Sequence, residues 1–319
     1  MLITDRLKSK QDSVSMDTLL LKEAKGATKK DKLVLFSLKN IYLGLRFLGR
    51  IVLGRKKRDR LYIERGINFV GFLYNSIEFL RLDNSFLIIF NVPKYNYKFS
   101  SRITRKVPNF LIEDMYVSMT AHEDDILKQF NPKKGDVVID IGAAFGIYTI
   151  LSSKQVGPDG KVIAIEAHPG SFEMLNRNIK LNKLTNVTCL NYAVHSKKMK
   201  VKIYSNYTIM SERVLEEKAK KDFVEVNTNT LDNILLQQQQ NGIRQGQVTW
   251  IKIDVEGAEL EVLKGAHNVL SNSKDIALLI EIHGQDNYKP VIEFLNSYNI
   301  SVIFQKNYDW GDRHIIARR

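Results

Sequence analysis

The sequence predicts an α/β fold in which helices cover both faces of a parallel sheet, preceded by a basic N-terminal arm. Three observations support this prediction. Apolar strands alternate with helices after residue 130, a glycine turn follows the first of these strands, and positive charge is concentrated in the first 60 residues. Continuous apolar strands separated by helices are typical of parallel sheets, because both faces of such a sheet are buried.

Seven segments of residues 131–319 are predicted strands of this sheet, since they are rich in β-branched residues and bounded by turn residues. In chain order they are DVVIDIG, KVIAIEA, VTCLNYAV, VTWIKIDVEG, IALLIEIHG, ISVIFQK and RHIIARR. The predicted helices are GIYTILSSKQV, GSFEMLNRNIKLN, AELEVLKGAHNVL and YKPVIEFLNSY. An insertion at about residues 200–247 carries two strand-like pieces and a polar tract ending in Gln237–Gln240, which we interpret as a solvated loop. Its charged piece SERVLEEKAKKDF is either a lid over a substrate or an inert surface helix.

Residues 61–130 are predicted to form a mixed α/β extension. SFLIIFNVPKYNYKF has the composition of a strand interrupted at Pro93, and HEDDILKQF that of a short helix with acidic residues at its start. Residues 1–60 form the basic arm, with 16 Lys and Arg against 6 Asp and Glu, whereas the rest of the chain has 32 against 29. The excess charge therefore concerns the partner of the arm and not the chemistry of the main domain.

The arm has two parts. Residues 1–32 are polar and predict disorder or a frayed helix. In residues 33–53 a helix would place Lys39, Arg46 and Arg50 within about 40° of one another on an otherwise apolar cylinder, and the basic tract RKKRDR follows. Three charges in one span argue against a transmembrane helix. Two interpretations stay open: a helix on an anionic membrane surface, or a helix packed on the protein's own core.

Cysteine content and the start of the chain predict the compartment. The single cysteine, Cys189, excludes an internal disulfide and favours a reducing environment. The first residues have scattered charges and no small-residue cleavage site after an apolar core, so they do not resemble a signal peptide. We therefore expect a cytoplasmic protein, peripheral at the cytoplasmic face of the membrane if the arm binds lipid.

The segment IDIGAAFGIYT has a glycine spacing that excludes the commonest nucleotide sites. Counting from Gly142, a dinucleotide fingerprint needs glycine at the third and sixth positions, where this chain has Ala144 and Ile147. A P-loop needs a lysine after the second glycine, and GIYT has none. The strand carboxylate of Asp140, with close backbone approach at Gly146, suits a smaller, cationic nucleoside. S-adenosylmethionine is such a ligand, because it has no phosphate and carries an ammonium group.

Glu166 ends the next predicted strand, about twenty residues beyond the turn, where a carboxylate in a doubly wound sheet accepts hydrogen bonds from both ribose hydroxyls. The alternative is that Asp140 caps the following helix and Glu166 lies in solvent. Two acids at consecutive strand ends favour the nucleoside interpretation.

A series of motifs resembles the FkbM-type S-adenosylmethionine-dependent methyltransferases over residues 112–317. In order they are VVIDIGAAFGIYT, EAHPGSFEMLNRNIKLN, NVTCLNYAV, TNTLDNIL, WIKIDVEGAELEVLKGA and LLIEIHG, the most specific part being residues 251–266. The resemblance implies a Rossmann-like sheet of seven strands with a final antiparallel strand. The chain departs from the family pattern at Ala144, where the family usually has Asn, and at Ala167, where it usually has Pro. Neither departure removes an indispensable charge.

The resemblance also implies the binding residues and the kind of acceptor. The cofactor residues are Asp140, Gly142, Ala143, Gly146, Glu166, Ala193, Val194 and Asp254. Glu166 would hold the ribose, the backbone near Ala193 and Val194 would border the adenine, and Asp254 would face the methyl-donating sulfur. Family members typically methylate oxygen on natural products or sugars, so we expect a small-molecule or glycan acceptor and S-adenosylmethionine as cofactor.

Methyl transfer to oxygen requires alignment, exclusion of water and removal of the hydroxyl proton. The candidates lie at the carboxyl ends of the strands, where open α/β sheets bind ligands. Asp254 and Glu256 follow one strand, and Glu281 and His283 belong to the end of its neighbour. His283 has the best unperturbed pKa for a general base, although a structural role is the alternative. The predicted catalytic residues are Asp254, His283 and Glu281.

Several alternatives accompany this prediction. Asp254, Glu281 and His283 could hold a divalent cation against the substrate hydroxyl, although we expect no metal. Glu259, Glu261 and Lys264 are predicted on the exposed face of the next helix. A non-catalytic binding module is disfavoured because the motif acids are intact. An RNA methyltransferase is disfavoured because KIDVEG replaces the NPPY-type strand end of enzymes that methylate the exocyclic amines of bases.

Overall fold

A computed structural model describes residues 20–25, 86–92, 97–103, 124–204, 223–239, 242–308 and 311–319. The chain divides into two compact units, Met1–His122 and Glu123–Arg319. The predicted helix at residues 33–53 and most of the charged segment SERVLEEKAKKDF lie outside the described residues, so both stay predictions. Among the residues that are described, no helix combines the length and the apolar character needed to span a bilayer.

The first unit contains an antiparallel sheet in the order β1–β2–β3. Its strands are β1 Leu20–Lys25, β2 Phe86–Val92 and β3 Tyr97–Ile103. β2 ends immediately before Pro93, as predicted, since proline cannot donate to a strand ladder. The prediction of disorder or frayed helix was wrong for β1. Its residues pair with β2 from Leu20↔Asn91 to Lys25↔Leu87, a partner that lies too far along the chain for local composition to indicate.

In the described part of the second unit, the strands are β4 Val137–Ile141, β5 Lys161–Ile165, β6 Val187–Leu190, β7 Ala193–Val194, β8 Lys200–Tyr204, β9 Phe223–Asn229, β10 Val248–Ile253, β11 Ala277–Ile282, β12 Ser301–Asn307 and β13 Arg313–Arg318. The helices there are α1 Asp124–Gln129, α2 Ile147–Val156, α3 Pro169–Leu181, α4 Leu231–Gln238, α5 Glu259–Lys264, α6 His267–Asn272 and α7 Gln285–Ser297.

The main sheet has the order β12–β13–β11–β10–β4–β5–β6. The pairs from β11 through β10, β4 and β5 to β6 are parallel, whereas β13 is antiparallel to both β11 and β12. The predicted seven-stranded, doubly wound sheet with a final antiparallel strand is therefore confirmed. Its order reverses at β4, whose neighbours β5 and β10 continue in opposite directions, so ligands are expected in the crevice beyond the carboxyl ends of these strands.

Both faces of this sheet are buried, which explains the continuous apolar strands. Ile139 and Ile251 belong to one apolar cluster, and their strand neighbours Val138 and Trp250 belong to another. Successive residues of a strand point to opposite faces, so both must be apolar here. Phe130, directly after α1, packs its ring edge on Trp250 with centroids 4.9 Å apart, so this predicted short helix belongs to the second unit.

The insertion forms more structure than its composition predicts. β8 pairs antiparallel with β9, and β9 pairs in parallel with β7, which makes a small sheet in the order β7–β9–β8. The segment VTCLNYAV is therefore two strands in different sheets, and the prediction of a single strand was wrong. Interpreting the glutamine tract as a solvated loop was also wrong for Gln237 and Gln238, which end α4, because Thr230 caps this helix and its apolar face enters the core.

Candidate active site

The turn after β4 is held by backbone contacts on both sides. The N–H groups of Gly142 and Ala143 donate to the carbonyl of Ile165 at 2.9 and 3.0 Å. Gly142 has φ +73°, and a Cβ built there would lie 1.8 Å from the carbonyl oxygen of Asp254. Only glycine permits this approach between the ends of β4 and β10. The turn therefore places the first predicted cofactor residues directly beside Asp254.

The rest of the turn leads into α2 through residues with left-handed backbone. Gly146 has φ +91°, and a Cβ on it would meet Leu175 Cδ1 at 2.6 Å. Ala144 has φ 46°, a conformation that glycine and asparagine adopt more easily than alanine does. The usual asparagine of the family at this position thus has a conformational reason. The amide of Ala144 points to the next strand and donates to Glu166.

A buried lysine lies beneath the turn. Lys252 in β10 is directly opposite Asp140 in the ladder, and its Nζ lies 3.0 Å from the Gly142 carbonyl oxygen. The same Nζ lies 3.1 Å from Asp254 Oδ2 and 3.7 Å from Asp140 Oδ1. Burial alone would lower the pKa of Lys252, but the two carboxylates outweigh it and raise this pKa above its usual value. One buried cation therefore joins the turn to both strand-end acids.

Asp140 differs from its predicted role. It is only 1% exposed, and Thr149 Oγ1 donates to its Oδ2 at 2.5 Å. Burial raises the pKa of Asp140, and the charge of Lys252 opposes that rise. The cation beside this carboxylate is thus Lys252, and the carboxylate has no open surface for a ligand ammonium. The expectation that this carboxylate suits a cationic ligand is corrected accordingly, since its contacts are with Thr149 and Lys252 beneath the turn.

Glu166 follows β5 and is almost completely buried, with 8% exposure, so the alternative that it lies in solvent was wrong. Its Oε2 accepts the Ala144 N–H and its Oε1 accepts the His168 N–H, each at 2.8 Å. Burial raises its pKa, and the two hydrogen bonds oppose the rise. Each oxygen keeps a second lone pair, so the carboxylate can still accept from two ribose hydroxyls. This donor and acceptor set fits the nucleoside of S-adenosylmethionine.

The predicted adenine border lies beyond the next strand. Asn191, directly after β6, donates from Nδ2 to the carbonyl oxygens of Glu166 and Ala167 at 2.8 and 3.0 Å. Ala193 and Val194 then form β7, opposite Thr228 and Asn229 of β9. Val194 is buried and Ala193 is partly exposed. The predicted adenine border at Ala193 and Val194 thus begins two residues after Asn191, which is bonded to the backbone of Glu166.

Four carboxylates surround the ring of His283, which is 9% exposed. Its Nδ1 lies 2.8 Å from Glu259 Oε1. Its Nε2 lies 3.4 Å from Glu256 Oε2, 3.8 Å from Glu281 Oε1 and 3.9 Å from Asp254 Oδ1. We call these five residues the acid cluster. It brings together the predicted catalytic residues Asp254, Glu281 and His283. It also contains Glu256, a candidate at the end of the same strand as Asp254, and Glu259, which was not expected at the site.

The carboxylates determine the charge of His283. Burial would lower its pKa, but the hydrogen bond to Glu259 and the charges of Glu256, Glu281 and Asp254 raise the pKa to about 10. The ring is therefore protonated near neutral pH and has no free lone pair for a substrate proton. The unperturbed pKa that favoured His283 as a general base therefore does not apply to this ring, and its catalytic role stays a prediction.

Glu259 is the clearest error of the sequence prediction. It was expected on an exposed helix face, but it is 0% exposed at the start of α5 and accepts the Gly257 N–H at 2.8 Å. Lys264, at the end of the same helix, is exposed as expected, and Glu261 is about one-third exposed and bonded to Lys264 at 2.7 Å. α5 begins against the end of β11, so Glu259 in its first turn faces inward, whereas Lys264 at its last position faces solvent.

Sequence reasoning also missed Lys252 and His314. His314 in β13 is buried opposite Glu281 in the ladder, with Nε2 3.2 Å from Glu281 Oε2. Each of these residues interrupts an apolar strand with a polar side chain, and each faces an acid of the neighbouring strand. That signal is visible in the sequence only once the strand order is known.

Two groups in the described part of the chain have donor atoms within 4.8 Å of one another, Asp254, Glu256 and His283, and Glu281, His283 and Asp312. This spacing would suit a divalent cation, but His283 must lose its proton before its nitrogen can act as a ligand. The metal-assisted alternative therefore has a geometric basis and an electrostatic obstacle.

Comparison with known proteins assigns the family. The family model described as the methyltransferase FkbM domain matches residues 140–302, about half of the chain, and covers the glycine turn, Glu166, Lys252 and the acid cluster. The chain belongs to this family. It is an S-adenosylmethionine-dependent methyltransferase, as the sequence resemblance predicted.

Among curated relatives, methyltransferase sdnD of Sordaria araneosa is 28% identical over 180 residues, which cover 48% of this chain and 69% of sdnD. A protein of Methanosphaera stadtmanae named probable ribosomal RNA small subunit methyltransferase A is 33% identical over 94 residues, 30% of each chain. Among solved structures, the methyltransferase FkbM from Methylobacillus flagellatus KT is 17% identical with a TM-score of 0.44, over 60% of this chain and 45% of that one.

Proposed function

We propose that the FkbM-family protein transfers a methyl group from S-adenosylmethionine to a hydroxyl of a sugar, glycan, glycolipid or natural-product-like acceptor. The observation that carries the proposal is the contact between Gly142 and Asp254, which joins the glycine turn to the acid cluster. A cofactor on the turn and a hydroxyl at the cluster would then be neighbours at the switch point of the sheet. The name of sdnD places one relative among methyltransferases without identifying the acceptor of this chain.

The turn and Glu166 would hold the cofactor. Glu166 accepts the ribose hydroxyls through the free lone pairs of its two oxygens. The cofactor can approach the backbone of Gly142 and Ala143 closely, because hydrogen bonds to Ile165 hold that backbone in place. Asp254 presents a carboxylate that is 29% exposed and held by Lys252. When bound, S-adenosylmethionine supplies a methyl group that its sulfonium has already activated for displacement.

The acid cluster removes the proton of the acceptor. His283 is protonated, so the proton must go to a carboxylate. Asp254 is the poorer choice because, although burial raises its pKa, the cations of Lys252 and His283 lower it below the usual value. Glu281 is 22% exposed and lies between His283 and His314. We assign the base to Glu281, with the protonated ring of His283 as the donor that orients the oxygen.

The charge of the cluster indicates an uncharged acceptor. Four carboxylates around one imidazolium, with Asp312 nearby, repel phosphate groups and other anions. This disfavours an RNA acceptor, to which the Methanosphaera relative's name would otherwise point. Neutral hydroxyl compounds such as sugars meet no such repulsion, and their hydroxyls can donate to the carboxylates.

The acceptor class can be tested with methyl-tritiated S-adenosylmethionine. The purified protein would be offered neutral glycans, glycolipids, a natural-product extract and total RNA in separate reactions. We expect label in a neutral hydroxyl-bearing fraction, as an ether methyl, and survival of the activity in a chelator. Label confined to RNA would replace the proposed acceptor, and label in no fraction would contradict the proposal.

Binding of the cofactor is tested by calorimetry with S-adenosylhomocysteine. Glu166→Gln should weaken binding by about 1.5–3 kcal/mol, because the ribose loses a charged acceptor. Both oxygens of Glu166 accept backbone N–H groups, from Ala144 and His168. In the glutamine variant the NH₂ group must therefore point at one of these N–H donors, which adds to the loss. Glu293→Gln on the exposed side of α7 is the matched control and should bind normally. Equal affinity in the two variants would remove Glu166 from the site.

A further inference from the structure

Glu259 is a fully buried carboxylate that the reaction described above does not use. Its Oε1 accepts two hydrogen bonds, from the Gly257 N–H and from His283 Nδ1, both at 2.8 Å. Its Oε2 is buried and has no hydrogen-bond partner among the described residues. A carboxylate without solvent is costly unless it is paired, so the contacts of Glu259 must offset the cost of burying it.

The local backbone aims this side chain at His283. After β10, Glu256 has φ 55° and Gly257 has φ +108°, two successive left-handed residues that reverse the chain. The reversal brings the start of α5 to the end of β11. The main chain of His283 is fixed independently, because Asn287 of α7 donates to its carbonyl oxygen at 2.7 Å. What Glu259 adds is control of the ring alone.

A histidine ring can rotate about its bond to Cβ, and a half-turn would exchange the places of Nδ1 and the opposite ring carbon. In the observed orientation Nε2 points into the space between Glu256, Glu281 and Asp254. Three other charged groups lie nearby. Lys252 is bonded to Asp254, and His314 is paired with Glu281. Asp312 has an oxygen within 4.8 Å of donor atoms of His283 and Glu281. Glu259 lies 2.8 Å from Nδ1, so it holds this edge of the ring while the three carboxylates face Nε2.

We infer that Glu259 is a positioning residue: it holds the Nδ1–H of His283 and thereby directs Nε2 to the place of the acceptor oxygen. The residue does not touch the reacting atoms. It fixes the ring of His283. The Nε2–H of that ring then stays at a constant distance from the carboxylates of Asp254, Glu256 and Glu281. The catalytic consequence rests on the proposed function, but the hydrogen bond and the ring orientation do not.

Three variants separate position from charge. Glu259→Gln keeps a carbonyl oxygen at the same place. The orientation of the new amide is determined, because a flipped amide would direct its NH₂ group at the N–H donors of Gly257 and His283. Glu259→Asp keeps the charge but withdraws it by one C–C bond, about 1.5 Å, which breaks the contact with Nδ1. Glu259→Ala removes both. Glu261→Gln, in the same helix with a partly exposed side chain, is the control.

The first readout is nitrogen-15 NMR of the histidine rings in a chelating buffer, with S-adenosylhomocysteine added and no acceptor required. In the wild type and in Glu261→Gln we expect a slowly exchanging, hydrogen-bonded Nδ1 proton on His283. The signal should persist in Glu259→Gln and disappear in Glu259→Asp and Glu259→Ala. An unchanged Nδ1 proton in the aspartate variant would overturn the inference. Circular dichroism identifies any variant that fails to fold, and the comparison of Gln with Asp then still decides.

The second readout is turnover on the acceptor found with tritiated cofactor. Positioning predicts that kcat falls about 10- to 100-fold in Glu259→Asp, with a smaller fall in Glu259→Gln, and that affinity for S-adenosylhomocysteine stays the same in both. A larger loss in Gln than in Asp would mean that charge matters and position does not, which overturns the inference. If affinity for S-adenosylhomocysteine fell as much as kcat in these variants, Glu259 would have a purely structural role. Failure to find any acceptor would contradict the proposed function and leave the NMR result to decide the ring orientation.

Discussion

The two halves of the site are built in different ways. On the proposed cofactor side, backbone groups make one half of each contact. The N–H groups of Gly142 and Ala143 donate to the Ile165 carbonyl, and the carboxylate of Glu166 accepts the N–H groups of Ala144 and His168. On the proposed acceptor side, side chains that follow β10 meet those of α5, β13 and the end of β11 through charges around His283. Backbone contacts fix a geometry that few substitutions leave intact, whereas a cluster of charges can be retuned one residue at a time.

The largest effect is expected where backbone meets backbone. Gly142→Ala must move β10 away from the turn, because the obstacle is the carbonyl oxygen of Asp254 and not a side chain. We expect loss of soluble protein or of all binding to S-adenosylhomocysteine. Gly135→Ala is the control, since Gly135 has a similar φ of +85° but nothing within 4 Å of the added carbon. Similar behaviour of the two variants would show that backbone strain dominates and close approach does not.

A smaller effect is expected at the lysine that joins the halves. Lys252→Met leaves Asp140 buried without its cation, which should reduce the free energy of unfolding by about 3–5 kcal/mol near neutral pH. The double variant with Asp140→Asn should recover part of this loss in urea unfolding. Since the folded-state pKa of Asp140 is raised, the folded state binds the extra proton. Stability of Lys252→Met should therefore increase as pH falls through that pKa. Additive losses in the double variant would mean that the pair is not coupled.

The third effect is a pH dependence confined to the proposed acceptor side, and it is the smallest when stability is compared across a single pH unit. His283 has a folded-state pKa of about 10 against an ordinary value of 6.5, so its stabilising charge is fully present below pH 6.5 and is lost as pH rises through 10. Between these values stability should fall with pH at no more than about 1.4 kcal/mol per unit. His283→Gln should remove this part of the slope in thermal unfolding measured with a chelator. An identical slope in both proteins would show that the ring is not charged.

The sequence predicted the features that depend on local backbone. The glycine turn, Glu166 and the strand ends are contiguous patterns, and the alternation of strands and helices was sufficient to predict the seven-stranded sheet. The buried position of Glu259 could not be predicted, because its partner His283 is 24 residues away and the reversal at Glu256 and Gly257 has no helical or strand period. Lys252 was missed for a related reason, since its partner Asp140 is defined only by the order and register of the sheet.

The small sheet has a consequence for grafting acceptor specificity between family members. β9 belongs to the insertion, yet it is paired with β7, whose backbone is the predicted border of the adenine. Excising residues 200–247 as a module would therefore remove a strand that supports the cofactor side. A chimera that keeps the strands from Ala193 to Tyr204 and from Phe223 to Asn229, and exchanges only residues 205–222, would preserve that pairing. The practical boundary for recombination lies inside the insertion and not at its ends.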